Sequence, residues 1–151
     1  MVKFFAVAVI ALRSRNMDEP IDAMIYCITV ALGFAALENA LFILSPLGAG
    51  DVTKSIITGN MRFVGATLVH VVSSASIGFF IGLAYYRGRF TKFILMIFGI
   101  LVAIALHSAF NLSIINVTAT SALKVFGWVW LAVVILMILF EEIKAVKPKE
   151  S

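Results

Sequence analysis

Four stretches of this chain run for twenty residues or more with hardly a charge: roughly Ile21–Leu44, Met61–Tyr86, Phe90–Ser113 and Ser121–Phe140. Each is long enough to cross a bilayer core of about 30 Å as a helix. In lipid every backbone N–H and C=O must be satisfied internally, so only helices and closed barrels are viable. Unbroken apolar runs of this length lack the in–out alternation of barrel strands. The predicted fold class is therefore all-α, a polytopic membrane helix bundle with four full transmembrane helices plus a partial N-terminal one, in a single domain over 1–151. Composition agrees, with 62% hydrophobic residues, 13% charged and a mean hydropathy of +1.09. A soluble domain of this length could not bury that much apolar surface.

The partial helix is Phe4–Leu12, about half the length a span requires. It lies between Met1-Val-Lys3 and Arg13-Ser-Arg15, with no small-residue cleavage site of the kind that ends a signal peptide. Turn chemistry or charge marks the breaks: Asp18-Glu-Pro20, the loop Ser45–Asn60, Arg87-Gly-Arg89 and Asn116-Val-Thr-Ala-Thr120. Basic residues set a direction. Arg13 and Arg15, then Arg87, Arg89 and Lys92, then Lys144, Lys147 and Lys149 fall at alternate ends of successive spans, eight of the twelve Lys and Arg. One topology puts all eight inside, with the C-terminus cytoplasmic and the Ser45–Asn60 loop outside. The expected location is thus the cell membrane, multi-pass, with the lipid bilayer as partner. The net charge of +4 reads as membrane orientation and not as nucleic-acid binding. A lone Cys27 excludes an intramolecular disulfide and reads as apolar filler. Nothing in the sequence selects an oligomeric state.

Against this background three ionisable residues stand inside apolar spans: Glu38, His70 and His107. Such groups are costly in hydrocarbon and mark functional sites by default. Counted from the outer ends of their helices, all three lie roughly 9–14 Å deep, at one level. Their faces agree as well. Arg62, Ala66, His70, Ser74, Gly78 and Gly82 recur every four residues, as do Gly99, Ala103, His107 and Asn111, and small residues at that spacing let helices approach closely. Phe34 and Glu38 share a face by the same rule. These positions predict a buried polar pocket opening towards the outside. Blander readings exist for each: a structural carboxyl, a histidine bonding a neighbouring helix, an Arg62 that snorkels to the outer headgroups, an Asn39 that holds the bundle.

The runs DEPIDAMIY (18–26) and LGFAALEN (32–39), then Arg62 with His70 eight later, then HSAFN (107–111), resemble the PrsW family of intramembrane proteases. That family looks related to the type II CAAX prenyl endopeptidases. The resemblance implies peptide-bond hydrolysis in the membrane without a serine or cysteine nucleophile. By motif, Glu38 and His70 fall in the region that activates a water, and His107 and Asn111 suit an oxyanion-stabilising role, with Phe34, Asn39, Arg62 and Ser74 in support. The implied substrate is a single-pass membrane protein, such as an anti-sigma factor, cut near its extracytoplasmic side. The family's first motif is a glutamate pair followed after two residues by a lysine. Lys3-Phe-Phe-Ala-Val7 looks like its end, which places the pair just before Met1 and leaves the chain as written without it. No cofactor is predicted. Two other readings stay open: Glu38, His70 and His107 also resemble a His₂Glu zinc set with an open position for water, and the same pocket could belong to a non-catalytic scaffold or transporter.

Overall fold

The computed structural model describes residues 17–114 and 119–148. Five helices make up the described chain: α1 Asp22–Gly48, α2 Val52–Val64, α3 Ala66–Leu83, α4 Arg89–Ile114 and α5 Ala119–Lys144. No strand occurs among the described residues. Four spans are long and apolar enough to cross a membrane: α1, the run Val52–Leu83 through α2 and α3, α4, and Leu123–Lys144 of α5. The all-α polytopic bundle is therefore what the chain adopts. The partial helix Phe4–Leu12, Lys3, and Asn116 to Thr118 lie outside the described residues.

Helix α3 is the centre. Half of the apolar window of Val52–Leu83 is buried within the bundle, against 17% for α1 and 11% for each of α4 and α5. It packs on α1, α4 and α5. Close approach is possible because α3 carries glycine where neighbours press hardest. A Cβ at Gly78 would lie 2.6 Å from both Ala23 O and Met24 Cα of α1. A Cβ at Gly82 would meet Pro20 O at 2.5 Å and Ile143 Cδ1 at 3.0 Å. The four-residue ridge read from the sequence is thus a real packing surface, with His70, Gly78 and Gly82 all buried. On α4, Gly99 and Ala103 are buried in the same way. Large side chains such as Leu37, Leu41, Phe93, Leu101, Trp128 and Met137 point outward, as a lipid-solvated bundle requires.

Two boundaries differ from the sequence reading. Helix α1 runs on to Gly48 with Pro46 inside its last turn, and the expected loop Ser45–Asn60 contains most of α2. The true turn is only Ala49-Gly50-Asp51. Gly50 takes φ +80°, a conformation that glycine adopts without penalty. Asp51 then caps α2, its Oδ1 accepting from Lys54 N at 2.9 Å. Ser55 is buried and donates to Ile43 O and Asp51 O, tying α2 back to α1. The second difference is that Arg62 sits on α2, not on the helix that carries His70, because the chain breaks at Gly65. At the start of α1, Asp22 Oδ2 accepts from the backbone amides of Asp18 and Glu19, which satisfies donors the helix itself cannot.

Candidate active site at the Glu38 carboxylate

Glu38 projects from α1 toward α2 and α3, and both of its oxygens are engaged. Arg62 Nη2 donates to Oε1 at 2.9 Å, and His70 Nε2 lies 3.0 Å from Oε2. His70 is nearly inaccessible, 3% exposed, whereas the Glu38 side chain is 41% exposed and so can be reached from outside the bundle. The His107 ring of α4 stands 4.9 Å from the His70 ring, tilted by 45°. Three helices that are far apart in sequence thus bring their one intramembrane ionisable residue each to a common point. The guanidinium balances the carboxylate charge where the dielectric is low, which is what allows an ionised group at this depth.

Arg62 is itself held on three sides. Its Nε donates to Asn39 Oδ1 at 3.2 Å, and its guanidinium lies 3.6 Å over the centre of the Phe42 ring. Asn39 Nδ2 donates in turn to Thr67 Oγ1 at 2.9 Å. The chain Thr67–Asn39–Arg62–Glu38–His70 therefore links α1, α2 and α3. Arg62 is not directed to the headgroups; its head group is used inside the bundle.

Of the positions read from the sequence, Glu38, Asn39, Arg62, His70 and His107 come together. Phe34 is half-buried one turn before Glu38, and Ser74 is half-buried one turn beyond His70. Asn111, one turn beyond His107, is exposed. Thr67 and Phe42 were not singled out, although a signal existed. Phe34, Glu38 and Phe42 form an i, i+4, i+8 row, and Thr67 stands three residues before His70 on the same face.

The donor types at this point, a carboxylate and two imidazoles, are ones that zinc accepts. Among the described residues no three His, Cys, Asp or Glu side chains form a group that could hold a metal ion. Glu38 and His70 face each other, and a guanidinium already occupies the second carboxylate oxygen. The described residues do not, by themselves, fit a metal centre.

The model of the PrsW family of intramembrane metalloproteases matches residues 1–140. Protease PrsW of Geobacillus kaustophilus is 30% identical over 94 residues, covering 62% of this chain and 38% of that protein. Protease PrsW of Clostridioides difficile is 28% identical over 101 residues, 66% of this chain and 41% of that protein. Protease PrsW of Shouchella clausii is 24% identical over 110 residues, 73% of this chain and 47% of that protein. The chain thus spans less than half the length of these curated relatives in each match. No solved structure matches it significantly. With four apolar spans and a family model covering nearly its whole length, the chain is a multi-pass membrane protein that belongs to the PrsW family of intramembrane metalloproteases.

Proposed function

We propose that this chain carries the catalytic core of an intramembrane endopeptidase, in which Glu38 and His70 activate the attacking water. The observation that carries the reading is the 3.0 Å contact between His70 Nε2 and Glu38 Oε2 at a buried level of the bundle. A carboxylate that holds a histidine in one orientation is the arrangement that general-base chemistry uses. Water attacks the scissile carbonyl carbon as its proton passes to the base. The carbonyl oxygen becomes an oxyanion, the C–N bond breaks, and the proton is returned to the leaving amine. His107, whose ring lies beside that of His70, would stabilise that oxyanion. Asn111 lies one turn farther out, on the exposed side of α4, where a substrate arriving through the bilayer would meet it. Fixed donors in a water-poor site act strongly on developing charge, each contributing about 10²–10³ in rate in comparable sites.

The partly exposed Glu38 carboxylate favours a substrate that lies in the membrane, a single-pass membrane protein such as an anti-sigma factor, cut near its extracytoplasmic side. The family description names a metalloprotease.

The test is cleavage of single-pass reporter proteins in membranes that contain this protein. His70→Ala and His107→Ala, each checked for folding, are expected to abolish cleavage. Activity that survives both substitutions would remove the proposal.

A further inference from the structure

We infer that the pocket lined by Leu83, Tyr86, Arg87, Gly88, Val146 and Lys147 binds the headgroup of an anionic phospholipid. It lies at the end of α3 opposite the Glu38 site and has a volume of about 410 Å³. Its two cations come from segments far apart in sequence: Arg87 follows α3, and Lys147 follows α5. Packing beside the pocket brings the two segments together. Ile143 is fully buried against the hydrogen face of Gly82, so the last turn of α5 is pinned to the last turn of α3.

Among the described residues neither cation is neutralised. Among the described residues the ion pairs are Arg62–Glu38, His70–Glu38 and Lys144–Glu141, and Arg87 and Lys147 take part in none. On the last turns of α5, Glu141 is held by Lys144 at 2.7 Å. The remainder of the lining is apolar where it meets the bundle. Leu83 and Val146 both pack on the buried cluster of Met24, Val72, Ala75, Leu136 and Ile143. Cations at the mouth and hydrocarbon at the base match an amphiphile with a negative head. Basic pockets between transmembrane helices bind such headgroups. A free anion would use the charges but not the apolar base.

The protein is purified in neutral detergent and titrated with phosphatidylglycerol or phosphatidylcholine, and retained lipid is counted by native mass spectrometry. Phosphatidylglycerol is expected to be retained in preference to phosphatidylcholine. The double variant R87Q/K147Q should weaken that retention about 30-fold, each cation supplying about fivefold. R89Q/K92Q removes the same charge outside the pocket and should leave retention unchanged. If the double variant does not fold, K147Q alone, which lies beyond the helix, should still weaken retention about fivefold. Equal retention of the two lipids overturns the proposal, as does an equal loss in R89Q/K92Q. Displacement of phosphatidylglycerol by millimolar inorganic phosphate would also overturn it, because the site would then recognise a small anion.

Discussion

Gly78→Ala adds one methyl group at the tightest contact between α1 and α3. Its carbon would lie 2.6 Å from Ala23 O and Met24 Cα and 2.9 Å from Ala23 C. Ordinary contact begins at 3.4 Å, so the gap is short by about 0.8 Å. All three neighbours are backbone atoms, which no rotamer change can move. The helices must separate or shift along each other, and such overpacking costs about 1–3 kcal/mol. Alanine returns at most about 1 kcal/mol in helix propensity. The net expectation is a loss of up to about 2.5 kcal/mol. Gly33→Ala is the matched control, because nothing lies within 4 Å of its added carbon, and it should gain about 0.5–1 kcal/mol. Gly99→Ala falls between the two, with Phe80 Cβ at 3.1 Å and Ile77 Cα at 3.2 Å. Unfolding of the three variants from mild detergent by added SDS, followed by helicity, gives the order directly. If Gly78→Ala proved as stable as Gly33→Ala, the α1–α3 packing described above would be wrong.

Asn39→Ala removes the group that holds both Arg62 Nε and the Thr67 hydroxyl, so Arg62 should wander from Glu38. Cleavage is expected to fall by about 10²-fold, the usual cost of misplacing a catalytic group by an ångström; assays of Asn39→Ala beside Thr67→Val would show whether the loss follows this chain of contacts. Metal analysis of purified protein, wild type against His70→Ala, should give no stoichiometric metal held by His70; zinc lost with that substitution would contradict the reading of Glu38 and His70 as mutual partners. Outside the spans, Tyr85 has its phenol raised above 10, first by desolvation and then by the neighbouring Tyr86, Asp18, Asp22 and Glu19. Its hydroxyl donates to Met17 O at 3.0 Å, so this contact's contribution should be complete below pH 10 and disappear only as pH rises through the higher folded value. An ultraviolet tyrosinate titration of wild type against Tyr85→Phe checks this.

The spans were legible because hydrocarbon allows one solution for an apolar backbone, and the meeting of Glu38, His70 and His107 followed from depth and face. Helix α2 was hidden by its composition. Pro46, Gly48 and Gly50 read as a long loop, yet Pro46 falls in the last turn of α1, where the one backbone hydrogen bond its ring removes comes too late to break the helix, and only Gly50 needs a special φ. The partners of Arg62 were hidden for a different reason. A cation near the outer end of a span has two stable destinations, the headgroups or an internal carboxylate. Only the packing of α2 against α1, which no periodicity encodes, decides between them. Asn111 illustrates the converse: the four-residue row from Gly99 runs inward through Ala103 and reaches the exposed surface by Asn111, while the neighbouring Phe110 takes the buried place against Val69 and Val129.

The Glu38 carboxylate has a bearing on how this protein is made as well as on what it does. Before the helices associate, an inserted α1 carries an unpaired acid, α2 an unpaired cation and α3 an unpaired imidazole, each of them costly in the bilayer. Once the helices meet, the same three groups satisfy one another. Assembly of the bundle and assembly of the site are then a single event, and an unassembled chain exposes its intramembrane polar residues to whatever quality-control machinery surveys the membrane. Inactive variants at Glu38 or Arg62 should therefore be scarce in cells as well as slow, and their abundance has to be measured before their activity is compared.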